Sequence, residues 1–495
     1  MINIYLDGYK NTHDIFELVR ILTKDDEIFF IENYEDINIE EGLTIVCSIK
    51  KYNCIEAKLY KKGILKSEYS IEDIENMSIR KTIEKKFKIA LKKVIYTIIF
   101  QSEGYSSPWG ILSGIRPSKI VHELREKGCS DNEINNIMTQ VYLISEKNSK
   151  LLLDITNIEK KYLYPLDKNK FSLYISIPFC PTKCLYCSFP SYPMNKWEEF
   201  VEKYVEALLF ELDNINKIMK NKDIQTVYIG GGTPTALSTK LLEKIINKVN
   251  NLFNRKNILE FTVEAGRPDT ITKEKLLMLK RNKVDRISIN PQTMSNTTLS
   301  LVGRDHTSED IVKVYKMAEE IGFKYINMDI IVGLPNEREK DIEFTMEKIS
   351  ELNPDNLTVH TLAIKKASQL NMNKDKYDLK DFKSIKNMIS ITKDYATKMG
   401  MEPYYMYRQK QILGNFENIG YTKKDEECIY NIVIMEEKQT IIGVGAGAIS
   451  KVFYPSLNKF DRVANVKDLP GYINRIDEMI ERKKKAINNM LTLEK

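Results

Sequence analysis

The chain has 495 residues, 42% of them hydrophobic and 29% charged, the composition of a soluble globular protein with room for two to four domains. Lysine and arginine number 75 against 69 acidic residues, a net charge of +6, too mild at this length to mark a nucleic-acid binder. The most apolar stretch, around residues 94–100, is far too short to span a bilayer. The opening MINIYLDGYK lacks the charged and apolar regions of a signal peptide. The expectation is a cytoplasmic protein with neither membrane nor nucleic acid as partner.

In chain order, residues 2–6, 27–31, 43–49 and 55–60 read as strands. A long helix is predicted over 80–101, with Ile83, Phe87, Leu91, Val94 and Ile98 at helical spacing. Lys81, Lys85, Lys88 and Lys92 fall on its other face, read as a solvated face. The turn-rich SSPWGILSGIRPSKI follows, then helices to about 160. A polar, proline-containing stretch at 162–169 (YLYPLDKN) sets the first boundary. Beyond it, apolar runs alternate with amphipathic helical stretches. Strands are predicted at 171–177, 226–229, 260–263, 286–289, 325–332 and 356–360, with helices at 197–217, 240–252, 273–282 and 308–321. Repeated β-then-α order means parallel strands joined by crossover helices. The predicted fold class is therefore α/β: a partial (β/α)6 barrel over 166–400, an α+β domain over 1–165 and a C-terminal extension over 401–495. In the extension, Gly443 to Ala448 (GVGAGA) lacks the βαβ context of a dinucleotide site and reads as close backbone packing.

The chain has seven cysteines, three of them in YISIPFCPTKCLYCSFPSYP, at Cys180, Cys184 and Cys187. In a reducing compartment such a cluster points to a metal site rather than a disulfide framework. The three follow the first barrel strand, and Pro178, Pro181 and Pro190 keep the segment irregular, so that its sulfurs can surround one centre. Thiolates suit a 4Fe–4S cluster, which usually takes four; three would leave one iron open to a substrate or cofactor. A structural zinc, completed by a histidine or by Cys428, is the alternative.

The loop resembles the radical S-adenosylmethionine superfamily. More narrowly, it is similar to the oxygen-independent coproporphyrinogen III oxidases (the coproporphyrinogen dehydrogenase branch) and their haem-chaperone relatives. Their opening Y-x-H-x-P-F-C-x-x-x-C-x-Y-C is met here by Tyr174, Ser176, Pro178, Phe179, Cys180, Cys184, Tyr186 and Cys187. The likeness runs over about residues 165–470. It implies a 4Fe–4S cluster on the three cysteines, S-adenosylmethionine on the open iron, and release of a 5′-deoxyadenosyl radical. Further matches stand at strand ends, where barrel enzymes keep their sites: Gly230, Gly231, Gly232 and Thr233 after the second strand, Glu264 after the third, Gln292 after the fourth, Arg304 in LVGRDH, and Asp329 on the fifth. With Tyr174, these are the residues the resemblance implies for cofactor binding.

Two positions depart from the oxidase pattern. Phe189 stands where the oxidases have a fourth cysteine, and Ser176 where they have a histidine; the chaperones also lack that cysteine. The long N-terminal region favours the enzyme. The expected function is oxidative decarboxylation of coproporphyrinogen III to protoporphyrinogen IX in haem biosynthesis, with reduced flavodoxin or ferredoxin as electron donor. A haem-binding chaperone and a radical enzyme on another substrate are the alternatives. A tetrapyrrole with four propionates asks for Arg or Lys and for aromatic faces. Arg408, with Tyr404, Tyr405 and Tyr407, is the candidate, and Tyr174 and Arg408 are the expected catalytic residues. His360, after the sixth strand, either faces the pocket or is a satisfied core histidine.

Overall fold

The computed structural model describes residues 1–23, 27–50, 53–77, 79, 81–114, 116–365, 367–408 and 416–494. The chain divides into two compact units, Met1–Thr156 and Asn157–Lys495. The division falls inside the helix Glu146–Leu163, ahead of the proline-containing stretch that marks a boundary in the sequence. Leu163, with Ile158 and Tyr162 beside it, belongs to an apolar cluster of the second unit, so the end of that helix is part of the larger core.

In the first unit, β1 (Ile2–Leu6), β2 (Ile28–Ile31), β3 (Leu43–Lys50), β4 (Cys54–Lys61) and β5 (Ile64–Glu72) form one sheet in the order β2-β1-β3-β4-β5. Ile2, Ile4 and Leu6 alternate inward, the period of a sheet with one covered face. Helices His13–Thr23 and Ile83–Glu103 supply Ile15, Leu18, Val19, Leu22, Leu91, Val94 and Ile98 to the core. The strand β5 is absent from the sequence reading because ILKSEYSIE buries little besides Ser67. Lys92 departs from the expected solvated face: it is buried and its Nζ donates to Ser113 Oγ at 3.1 Å.

The second unit holds the remaining strands: β6 (Lys170–Ile177), β7 (Phe179–Cys180), β8 (Tyr192–Pro193), β9 (Asp223–Gly231), β10 (Glu260–Glu264), β11 (Arg286–Ser288), β12 (Tyr325–Val332), β13 (Asn356–Thr361), β14 (Glu402–Tyr407), β15 (Asn418–Thr422), β16 (Thr440–Val444), β17 (Ile449–Tyr454) and β18 (Lys459–Ala464). All but the short β7–β8 pair join one open sheet ordered β14-β15-β13-β12-β11-β10-β9-β6-β16-β17-β18. The six expected parallel strands are β6 and β9 to β13. Helices such as Met194–Ile218, Thr239–Leu252 and Ser308–Ile321 connect them, as parallel pairing requires. This is a partial α/β barrel. Residues 401–495 supply both its edges: β15 runs antiparallel to β13, and β16 parallel to β6. Among the described residues, no helix is long and apolar enough to cross a membrane.

One buried carboxylate ties the C-terminal helix Ile476–Leu493 to this sheet. Glu211 Oε1 accepts from Lys483 Nζ at 2.7 Å and Asn465 Nδ2 at 3.0 Å, and Oε2 accepts from the Gly445 amide at 2.8 Å and the Tyr472 hydroxyl at 2.6 Å. Glu211 and Lys483 are both without solvent exposure. Removing one partner of such a pair leaves an uncompensated buried charge, at a cost of about 3–5 kcal/mol. Lys483→Met is therefore expected to destabilise the larger unit by about that amount in urea unfolding, and the double variant Glu211→Met/Lys483→Met by less.

Candidate active site: a three-cysteine cleft at the strand ends

Parallel register brings the C-terminal ends of β6 and β9 to β12 to one edge, and the cysteine loop lies across it. The loop is pinned at several points. Tyr192 N donates to Pro178 O at 2.8 Å, Leu185 N to Val302 O at 3.0 Å, Leu370 N to Leu185 O at 3.0 Å, and Thr182 Oγ1 to Gly303 O at 2.9 Å. Cys187 N closes a turn on Cys184 O at 3.1 Å. The end of β9 meets the loop backbone to backbone: Gly232 N bonds Ile177 O and Thr233 N bonds Phe179 O, both at 2.8 Å. No side chain fits between them. A Cβ on Gly232 would stand 2.7 Å from Phe179 O and 3.0 Å from Cys180 Sγ, and Gly231 has φ +110°, a conformation that only glycine adopts readily.

The cleft so formed has a cavity volume of about 140 Å³, and its walls include Cys180, Cys184, Cys187, Gly231, Gly232, Thr233, Glu264, Gln292 and Arg304. Burial pushes the Cys180 thiol up to about 11 and raises that of Cys187. Thr233 Oγ1 donates to Cys180 Sγ at 3.5 Å.

Glu264 Oε1 accepts from Tyr228 OH at 2.6 Å. Burial raises its carboxyl to about 7, against the opposing effect of the Tyr228 bond. Gln292 sits at φ 68°, uncommon for a residue with a side chain. Its N donates to Asp329 O and its carbonyl accepts from Ile331 N, both at 2.9 Å. The resulting kink leaves Gln292 Oε1 buried without a partner. Arg304 Nη2 donates to the Gly266 and Asn290 carbonyls at 2.7 Å each and Nη1 to Tyr186 OH at 3.3 Å, while its Nε is buried without a partner. Both atoms are open to a ligand that enters the cleft. His306 is buried between Arg304, Arg267 and Asp269; desolvation first, then the Arg304 charge, lowers it to about 4.

Asp329 stands farther along, with Oδ1 accepting from Asn327 Nδ2 at 2.8 Å and Oδ2 3.8 Å from His360 Nε2. His360 Nδ1 pairs with Tyr407 OH at 3.0 Å, and its ring is half-buried. Tyr174 stacks on Tyr228 at 6.2 Å and on Tyr430 at 6.1 Å between ring centres. Tyr404 and Tyr405 are buried in the apolar cluster, and Arg408 is 2% exposed, its guanidinium lowered to about 10 by desolvation. Ser176 is buried too, donating to Ala446 O at 3.0 Å.

Cys428 is not a fourth ligand. Its Sγ donates to Glu260 Oε1 at 3.2 Å, at the start of β10, while the cysteine loop lies beyond the strand's other end. The residues present fit an iron–sulfur cluster and an adjoining cofactor: three thiols on one loop, a backbone cradle that a Cβ would fill, and orphaned polar atoms beside it. Arg267 is not legible as a cleft residue, since nothing in its local spacing signals it, whereas His306 stands in the LVGRDH run already noted for Arg304.

A parallel partial barrel with a three-cysteine loop after its first strand defines the radical S-adenosylmethionine class, and the sequence model of the Radical SAM superfamily matches residues 174–349. The oxygen-independent coproporphyrinogen-III oxidase-like protein HemZ of Bacillus subtilis is 39% identical over 411 residues, 82% of each chain. The heme chaperone HemW of the same organism is 32% identical over 312 residues, covering 62% of this chain and 76% of its own. Among solved structures, the coproporphyrinogen III oxidase HemN of Escherichia coli shares the fold, with a TM-score of 0.53 at 23% identity over 66% of this chain and 73% of its own. The chain belongs to the HemZ-like family of radical S-adenosylmethionine proteins. That family implies a 4Fe–4S cluster and S-adenosylmethionine.

Two outcomes test the geometry. Gly232→Ala is expected to lower iron uptake on anaerobic reconstitution at least several-fold while far-ultraviolet circular dichroism stays unchanged. Between pH 4.5 and about 7 the folded chain keeps a proton on Glu264 that the unfolded chain has released. The stability this confers is largest at the acid end and declines as pH rises through 7. The urea midpoint of Glu264→Gln, compared with wild type, should lose that decline.

Proposed function

We propose that the chain catalyses the oxygen-independent oxidative decarboxylation of coproporphyrinogen III, converting two propionates to vinyl groups and giving protoporphyrinogen IX in haem biosynthesis. The observation that carries this reading is the 39% identity to the oxidase-like HemZ across 82% of both chains. Cys180, Cys184 and Cys187 are assigned to the 4Fe–4S cluster. Tyr174, Gly230, Gly231, Gly232, Thr233, Glu264, Gln292, Arg304 and Asp329 are assigned to S-adenosylmethionine. Together the bound cofactors supply a radical able to take hydrogen from an unactivated propionate carbon.

The chain's own residues bind, orient and shield. The three thiols release their protons as they take iron. Glu264, raised by burial to about 7, ionises fully when an ammonium group approaches, and the orphaned Gln292 Oε1 offers that ligand an acceptor. The stacked rings of Tyr174, Tyr228 and Tyr430 exclude water beside Glu264. Arg408 is assigned to a propionate for its charge and its place beside Tyr407; desolvation lowers its guanidinium to about 10 against the opposing charge of Glu417. Tyr407, bonded to His360, is assigned to the tetrapyrrole with Arg408. For each propionate, one hydrogen atom would pass to the 5′-deoxyadenosyl radical, carbon dioxide would leave, and one electron would pass to an external one-electron acceptor. Reduced flavodoxin or ferredoxin is the proposed donor to the cluster.

A second reading, a haem chaperone, is favoured by Phe189, 65% exposed on the cleft wall where the oxidases carry a fourth cysteine. The deciding assay is anaerobic. With reconstituted protein, reductant and coproporphyrinogen, 5′-deoxyadenosine should form together with a product lighter by two carboxylates and two hydrogens. Arg408→Ala should cut turnover at least tenfold without lowering iron content. Cofactor cleavage indifferent to coproporphyrinogen, with stable haem binding and transfer to an apo-acceptor, would establish the chaperone instead.

A further inference from the structure

Arg267 follows β10 in the turn leading to Pro268 and is 4% exposed. Its Nε and Nη2 make two parallel bonds to Asp269, each 2.9 Å. A guanidinium forked on one carboxylate is fixed in plane and direction, so its remaining edge points where the fork dictates. That edge faces the cysteine loop: Nη1 donates to Thr182 Oγ1 at 3.0 Å and to Cys184 Sγ at 3.8 Å. The turn itself is held, with Arg267 O accepting from Thr270 Oγ1 at 2.7 Å and from Thr270 N at 3.0 Å. Four of the five guanidinium N–H groups are thus committed, one of them to sulfur.

We propose that Arg267 is a positioning residue for the iron–sulfur centre: its Nη1–H bonds the Cys184 sulfur and raises the reduction potential of the cluster. This rests on the assignment of the cluster to Cys180, Cys184 and Cys187 and is independent of the substrate. One-electron reduction adds negative charge to a cluster and its thiolates, and an N–H aimed at a ligand sulfur favours that reduced state. Arg267 is 4% exposed, so little water competes for its N–H groups. Asp269 offsets the guanidinium charge at a distance, so the directed N–H···S contact is the part that acts on the cluster. The bond falls on one thiolate of three and sets Cys184 apart from Cys180, whose sulfur meets the neutral Thr233 hydroxyl.

The test needs no turnover. Wild type, Arg267→Lys and Arg267→Gln are reconstituted anaerobically, assayed for iron, and titrated by electron paramagnetic resonance against redox mediators, with neither S-adenosylmethionine nor substrate present. The expected result is about four irons per chain in all three. In Arg267→Gln the reduction equilibrium should shift about tenfold toward the oxidised cluster, 59 mV for one electron, and Arg267→Lys should fall between. A wild-type chain that takes up no cluster refutes the cysteine assignment rather than the role of Arg267. A cluster-bearing Arg267→Gln with unchanged potential overturns the proposal. Should Arg267→Gln lose its iron, wild-type protein labelled with ¹⁵N-arginine decides: hyperfine coupling of the reduced cluster to an arginine nitrogen supports the bond, and its absence overturns it.

Discussion

Gly232 and Thr233 donate their amide protons to the carbonyls of Ile177 and Phe179, so the end of β9 is joined to the chain that continues into Cys180. Everything in the cleft is positioned from that junction. It brings a glycine strip within van der Waals reach of the first sulfur, sets Glu264 of the next strand behind it, and leaves the rest of the loop to be held from the far side by Val302, Gly303 and Leu370. A side chain at Gly232 would push the two backbones apart. The constraint is steric before it is chemical: a cluster loop and a cofactor cradle can share one cleft only where one of the two backbones is bare.

A second layer holds that junction in place from below. Tyr204 OH donates to Ser176 O, and Gly445 turns at φ +93° against the same carbonyl. Glu211 gathers Gly445, Asn465, Tyr472 and Lys483 around one carboxylate. The strand that carries Tyr174 and leads to the cysteines is therefore backed by the last helix of the chain. The hydroxyl of Ser176 donates to Ala446 O, which ties this serine into the backing. At the opposite end of β10, Arg286 and Cys428 both bond the buried Glu260. Polar groups thus fix the bottom of the sheet, while its top is left to function.

The barrel was legible in the sequence because each parallel strand is covered on both faces and reads as an apolar run, as in Phe171 to Ile177 or Tyr325 to Val332. The cysteines, the glycine strip, Glu264 and Gln292 stood out by spacing and by their place at strand ends. What stayed hidden depends on distant partners. The strands β5 and β18 are largely exposed and carry weak alternation, and β17 is mostly buried with no regular alternation. Lys92 looks like a surface residue until Ser113 folds over it. Arg267 meets Cys184 across 83 residues of sequence, and the left-handed backbone of Gln292 has no glycine to announce it. The tyrosines at 404 and 405 read as a ligand surface, yet their rings are buried in the core.

The strand order also says something about how the protein is made. The strand leading to the cysteines, β6, has β9 on one side and β16 on the other, and the hydrogen bond from Ser176 to Ala446 closes a loop of 270 residues. At roughly 5–20 residues per second of synthesis, that flank of β6 stays open for on the order of tens of seconds on the ribosome. An unpaired apolar edge exposed for so long invites pairing with another chain. The thiols beside it pass the same interval in a half-built cleft, on a strand whose second flank β16 has yet to cover.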